Sequence, residues 1–388
     1  MNKEVASKIW HHLIGNQEAM LHFLRQIVAI ETPSRNKEAQ LELFQFLEKE
    51  FQSLGYYVLH VPGKETGGYL YARPLTRRKN NPIQLLIGHC DTVWSINTLK
   101  EMPISEQDGK IRGPGIYDMK AGLTQIFFSI QTLQKLGLSS EVTPVILINS
   151  DEEIGSKEST STIKRLANIA NRAFILEPPL GLDGKLKTAR KGIGRFIIKV
   201  KGKAAHAGLD PTKGINAIVE LSHQVQQLFA MNDFEKGITV NVGMIEGGIS
   251  ANVIAPESKA VVDVRVLNRS DGEYITKKIH QLKPMLADVE LFIEGNIGRP
   301  PMEKTVRNRK LWNVAKIKGS LLDLKLEEAT AGGGSDGNTT SLFTPTLDGL
   351  GTTGDGAHAA HEFIYVKKLP ERTALLSLLL LADPLKKN

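Results

Sequence analysis

Cysteine is almost absent from this chain of 388 residues: Cys90 is its one thiol, which excludes an intrachain disulfide and leaves the redox compartment unmarked. Aromatics amount to 6% and none is interleaved with a basic run, so no groove for nucleic acid is legible. Long hydrophobic runs are missing as well. No apolar stretch approaches the ~20 residues that span a bilayer; residues 375–382 are too short and read as a C-terminal core helix. The opening MNKEVASKIWHHLIG lacks the apolar core and small-residue cleavage site of a signal peptide, so a cytoplasmic protein with no membrane partner is the expectation.

What is present suits an ordinary globular protein: 41% hydrophobic and 23% charged residues, in a chain long enough for more than one domain. The net charge of +7 is dispersed and reads as a solvated surface, although such a field also gathers anionic substrates. Two kinds of strand occur. Continuous apolar runs at residues 83–87, 145–148 and 174–176 suit strands buried on both faces, and helical patterns at 38–54 and 119–136 lie between them. This part is α/β with a mixed, largely parallel sheet. Runs with period-two alternation follow: Phe196, Ile198 and Val200; Ile238, Val240, Val242 and Met244; Val262, Val264 and Val266; Val289, Leu291 and Ile293. With helical patterns at 215–229 and 273–286 they spell β-α-β-β-α-β, an α+β unit over residues 188–298 inserted between 1–187 and 299–388. After it come a helical pattern at 306–318, a strand pattern at 324–327 and the turn Gly332-Gly333-Gly334.

Chemistry-bearing residues gather where the buried runs end, the place where open α/β sheets bind ligands. His89 follows the first run, in Gly88-His89-Cys90-Asp91-Thr92, and Asp91 is placed to accept from its second ring nitrogen. Asp151-Glu152-Glu153 follow the second run, and three adjacent acids repel one another unless a cation or a helix start compensates. Glu177 ends the third. Asp118, between Gly113-Pro114-Gly115 and a helical pattern, is either a helix cap or a carboxylate that bridges two cations. Gly354-Asp355-Gly356-Ala357-His358-Ala359-Ala360-His361-Glu362 adds two histidines. Taken singly these residues read as a satisfied histidine, caps and a surface turn; together they make an N/O donor set without thiolate, suited to zinc or a similar divalent ion.

These five segments, in order and over almost the whole chain, resemble the M20 family of metallopeptidases, and within it the glutamate carboxypeptidase branch. The resemblance implies a dizinc catalytic domain (Co2+ or Mn2+ being alternatives to Zn2+) of zinc-peptidase-like fold, carrying an inserted lid or dimerisation domain. It makes Asp118 the bridging ligand, gives His89 and Glu177 to one metal and Glu153 and His358 to the other, and leaves Glu152 as general base and acid, supported by Asp91. It also implies a non-proline cis peptide between Asp118 and Met119. Because the family's last histidine stands four residues before a Glu followed by an apolar or aromatic residue, Glu362-Phe363 selects His358 over His361.

In the inserted unit, Gly202-Lys203-Ala204-Ala205-His206-Ala207-Gly208 is similar to the family's lid motif, which implies that His206 stabilises an oxyanion, in dimers often from the partner subunit. Asn252 resembles a contact to a substrate carboxylate. Arg265 and Arg299 are natural bidentate partners for the same group, although a surface salt bridge is an equal reading of Arg265. Gly333, Gly334 and Ser335 offer backbone groups to substrate, and the Cys90 thiol is expected to pack inward. The expected reaction is cleavage of an amide in a small peptide or N-acyl amino acid, releasing a C-terminal residue such as glutamate. The rival is an N-acyl-amino-acid deacylase of the acetylornithine or succinyl-diaminopimelate type. A homodimer through the inserted domain is the expected assembly.

Overall fold

The computed structural model describes residues 3–76 and 81–386. The chain divides into two compact units: Met1–Thr188 with Lys304–Thr330 and Ser335–Asn388, and Ala189–Glu303 with Ala331–Gly334. The glycine-rich turn falls in the second because Lys191 N–H donates to the Ala331 carbonyl at 2.9 Å, and Arg190 Nη1 donates to those of Gly333 and Gly334 at 3.1 and 3.2 Å.

A six-stranded sheet organises the first unit, in the order Tyr56–Val61, Tyr69–Pro74, Thr143–Asn149, Ile83–His89, Ala170–Ile175, Thr346–Leu347. Its first two pairings are antiparallel and the other three parallel. Every residue of Ile83–His89 is buried, since both faces of the sheet are covered. Leu86, Ile146 and Phe174 join the core that includes the helices Ala121–Lys135 and Lys368–Leu380. Leu85, Ile87, Val145 and Leu147 pack with Ile163 and Leu166 of the helix Thr160–Ile169. From Ile83–His89 the chain goes on to a neighbour on one side and later to one on the other. Its carboxyl end is therefore the switch point where such sheets bind ligands, and His89 stands there.

The C-terminal helix is tied to this sheet by a buried cation. Arg172 donates to Gln84 Oε1 at 2.9 Å and to the carbonyls of Ala382 and Asp383 at 2.6 and 2.7 Å, and burial pushes its pKa down to about 10. Arg172→Leu would strand three acceptors, so a loss of about 3 kcal/mol or more is expected. Urea unfolding measures it, and an unchanged midpoint would refute the anchoring role.

A small antiparallel sheet, Gly354–Asp355, Phe363–Tyr365, Lys110–Arg112 and Ser105–Gln107, was not legible in advance, because strands of two or three residues show no periodicity. It matters because it sets the turn around Asp118 beside the turn around His358. The strand expected at 324–327 is found instead at Glu328–Ala331, where Leu186–Arg190 supplies its partner.

In the second unit the strands run in the order Thr239–Gly247, Glu257–Val266, Gly192–Lys201, Glu290–Arg299, all antiparallel. The helices Ala217–Phe229 and Arg269–His280 supply Leu221, Leu228, Ile275 and Ile279 to a core with Phe196, Ile198, Val262 and Val264. Two expectations need correction. The second helix begins four residues before 273, where the Asn268 side chain accepts from Asp271 N–H, and it stops at His280 before Pro284. Met244 does not continue the buried face, because a bulge between Val242 and Met244 shifts the register and leaves it 55% exposed. Among the described residues no helix is long and apolar enough to cross a membrane.

Candidate metal centre

Three parallel strands deliver their ends to one place. His89 closes Ile83–His89, and its Nδ1 donates to the Asp91 carbonyl at 2.9 Å, which turns Nε2 toward the acids. The Asp91 carboxylate lies farther from that ring, 3.4 Å from Nδ1, so the nearer acceptor is the carbonyl and not the expected side chain. The carboxylate has another task. It accepts from the amides of Glu152 and Glu153, each at 3.2 Å, and from Ser34 Oγ at 2.7 Å. Asp91 thereby fixes the short turn Glu152–Ile154 against the end of the neighbouring strand.

Asp118 is presented differently. Gly115 turns the chain at φ +71°, and a Cβ there would stand 2.4 Å from Thr92 Cγ2, so only glycine fits. Asp118 itself has φ −116° and ψ 93°, and the bond to Met119 is cis. The helix Ala121–Lys135 starts later, capped at Lys120 without a side-chain bond, so Asp118 is not its cap. Instead its two oxygens diverge: Oδ1 lies 3.3 Å from His89 Nε2, and Oδ2 lies 3.6 Å from His358 Nε2. Glu177 Oε1 is 3.5 Å from His89 Nε2, and Glu153 Oε2 is 3.1 Å from His358 Nε2. His358, held at φ +62°, is the histidine that faces the acids, and His361 is exposed. The Cys90 thiol is fully buried, and burial raises its pKa.

The electrostatics describe a site that attracts positive charge. Burial opposes protonation of His89, yet its contacts with Asp118, Asp91 and Glu177 prevail and raise it well above the ordinary range. Glu153 pushes His358 up to about 9. Burial raises Glu153 in turn, whereas Asp118, although partly buried, is held low by the two histidines. Without a cation, the acids keep protons on both rings.

Donor spacing then tests whether a metal fits. Zinc with N and O ligands at 2.0–2.1 Å in a tetrahedron sets neighbouring donors about 3.3 Å apart. The four separations between histidine and carboxylate, 3.1 to 3.6 Å, bracket that value. His89, Glu152 and Glu177 form one group of donor atoms lying within 4.8 Å of one another, and His89, Asp118 and Glu153 form another. Distance alone would thus admit Glu152 as a ligand. By nearest contact the donors pair differently, with Asp118 Oδ1 and Glu177 beside His89, and Asp118 Oδ2 and Glu153 beside His358.

Sequence reasoning noticed Glu362 only as a marker for His358. Its buried side chain accepts from Trp94 Nε1 and Gly115 N at 2.9 Å each, from Tyr117 N at 2.8 Å and from Asp118 N at 3.0 Å. Burial pushes its carboxyl up to about 7, against the pull of those donors. A Glu four residues past the histidine was the available signal, but which groups it would meet depends on pairings far apart in sequence.

Within the second unit, His206 and Asn252 share a corner: Ala207 N donates to the Asn252 carbonyl at 2.9 Å, and His206 bridges to Val253. His206 Nδ1 accepts from Gly208 N and Leu209 N at 3.1 and 3.2 Å, so the neutral ring carries its proton on Nε2. Arg265 spends Nε and Nη2 on Asp263 at 2.7 and 3.0 Å, which is the salt bridge weighed from sequence. Its Nη1 reaches the Gly332 carbonyl at 3.4 Å. A Cβ on Gly334 would meet Arg299 Cδ at 2.9 Å, so these two are close neighbours. Ser335 belongs to the first unit. Its hydroxyl donates to Asp348, its amide to Asn338 Oδ1, and its carbonyl accepts from Asn338 N, in a capping box at the start of the helix Asp336–Thr340.

Comparison with known proteins places the chain. Residues 188–283 match the M20 peptidase dimerisation domain. Carboxypeptidase G2 of Pseudomonas sp. (strain RS-16) is 30% identical over 375 residues, covering 94% of this chain and 89% of that protein. Succinyl-diaminopimelate desuccinylase of Rickettsia africae (strain ESF-5) is 24% identical over 309 residues, 75% of this chain and 81% of that protein. Among solved structures, aminopeptidase PepT of Bacillus cereus ATCC 10987 superposes with a TM-score of 0.80 at 23% identity, over 94% of this chain and 98% of that one. With a relative at 30% identity over nearly its full length, this chain belongs to the M20 family of metallopeptidases and is a hydrolase.

Proposed function

We propose that this hydrolase cleaves the amide bond that precedes a C-terminal amino acid, such as glutamate, in a small peptide or N-acyl substrate. The observation that carries the reading is the divergence of the two Asp118 oxygens, 3.3 and 3.6 Å from the two histidines. One carboxylate so placed would serve two cations, which His89 and Glu177 would help to hold on one side and Glu153 and His358 on the other. Zinc suits this N/O set, and Co2+ or Mn2+ would be accepted. When bound, such ions supply a water acidic enough to ionise near neutrality and a polarised carbonyl.

The chain's own residues do the rest. Glu152 takes a proton from the attacking water and returns it to the leaving amine nitrogen as the C–N bond breaks. His206 donates from Nε2 to the carbonyl oxygen as it becomes an oxyanion. Arg299 and Asn252, with the backbone of Gly334 and Ser335, hold the substrate carboxylate, joined by Arg265 when it exchanges Asp263 for that group. Similarity to carboxypeptidase G2 supports a grip on the C-terminal side of the amide, and the weaker similarity to a desuccinylase supports the deacylase alternative.

The first unit is the catalytic domain in this reading, and the second is the lid and dimerisation domain. Homodimerisation would cover the exposed Ile218, Val219 and Phe229 on one helix, with Met244 and Ile245 on the strand at the sheet's edge. The test is a panel on zinc-loaded and chelated protein, setting acyl-glutamates and dipeptides against N-acetyl-ornithine and N-succinyl-diaminopimelate. Zinc-dependent turnover of the first group is expected. Preference for the second moves the assignment to deacylase, and no zinc-dependent turnover rejects both. Sedimentation of the same preparation should give twice 42.7 kDa, and a monomer would reject the dimer.

A further inference from the structure

The geometry points to Glu362 as the positioning residue that fixes the spacing between the two halves of the metal centre, an inference that rests on the two-cation reading above. The residue belongs to the His358 segment. Ala359 N donates to the Gly356 carbonyl at 2.8 Å and Glu362 N to the Ala359 carbonyl at 2.9 Å, so two consecutive turns link the carboxylate to the histidine. Its Oε1 accepts from Tyr117 N and Asp118 N, and its Oε2 from Gly115 N and Trp94 Nε1. Trp94 lies on the segment that leaves His89 and Asp91. One carboxylate thus gathers three of the segments that face the centre: the one after His89, the turn that presents Asp118, and its own.

Satisfying loop amides is a common duty for a buried carboxylate. What sets this one apart is which amide it holds. Asp118 N–H is bonded to Glu362, while Asp118 Oδ2 stands 3.6 Å from His358 Nε2, so one side of that gap is held by the Glu362 side chain and the other by its main chain. A shift of about 0.5 Å in such an arm is enough to spoil a constellation of this kind. The anchoring also requires two acceptors. In Glu362→Gln the shape is kept, but the NH2 must face one pair of N–H donors whichever way the amide turns, so two of the four bonds are lost.

The experiment is titration of stripped wild type and Glu362→Gln with Co2+, followed by calorimetry and by visible absorption of the bound ion. Wild type should bind two ions. In the variant, the position completed by Glu153 and His358 should weaken by roughly 10–100-fold and its absorption should change, with kcat falling more than KM rises. Two ions bound by the variant at wild-type affinity with an unchanged spectrum would overturn the inference alone. Fewer than two ions in wild type would overturn the two-cation reading as well. Should Glu362→Gln fail to fold, Trp94→Phe removes one donor and leaves the carboxylate in place. A weakening of a few fold in the same step is expected there, and none would overturn the proposal.

Discussion

Glu152→Gln should keep its metal and lose most of its turnover, with kcat reduced by about 10²–10⁴-fold. The side chain stands among the donors of His89 and Glu177, all within 4.8 Å of one another, while its backbone amide is fixed by Asp91 Oδ1 at 3.2 Å. Glutamine keeps the shape, and the bond to Asp91 is made by the main chain, so the turn that carries Glu153 stays in place. What disappears is a group able to accept a proton from water and return it to the amine. Metal content and steady-state kinetics on the same sample separate the possible roles. Full metal with little turnover is the expected pair of results. Normal turnover would eliminate Glu152 as the base. Loss of metal along with activity would instead make Glu152 a ligand, the role that distance alone permits.

That ambiguity shows where the sequence is informative. Three apolar runs ending in His89, Asp151-Glu152-Glu153 and Glu177 were legible because strands buried on both faces have no other composition, and a parallel sheet places their carboxyl ends together. The alternating strands of the second unit were equally legible, except where the bulge at Val242 and Met244 broke the period. Asp118 looked like a helix cap because the following helical pattern is strong, and only the dihedral angles at Asp118 and Met119 show that the helix begins after them. Glu362 and Asp91 illustrate what sequence hides. Each carboxylate acts on backbone amides of residues distant along the chain, and an amide carries no side-chain identity to be read. Ser335 shows a signal that was present but not used: Asn338, three residues on, completes a capping box with it at the start of a short helix.

Asp118→Asn should be the most damaging single substitution, because it acts on both positions of the centre at once. Asparagine offers one acceptor oxygen where aspartate offers two. Whichever histidine that oxygen faces, 3.3 Å away on one side or 3.6 Å on the other, the opposite position receives an NH2 group directed at its cation. The negative charge shared by the two sites is lost as well. The loop itself should survive, since its hold on Glu362 uses the main-chain amide of Asp118 and not the carboxylate. Thermal unfolding with added zinc separates these effects. Each site filled at 100 times its Kd stabilises the native state by about 2.7 kcal/mol, so wild type should show a clear rise in Tm with zinc. Asp118→Asn should start from a Tm near that of metal-free wild type, gain almost nothing from zinc, hold less than one ion per chain, and have no measurable amidase activity. Two ions per chain and a wild-type rise in Tm would show that Asp118 does not bridge. In that case the donors would have to be divided differently, with Glu152 drawn into the group it already forms with His89 and Glu177.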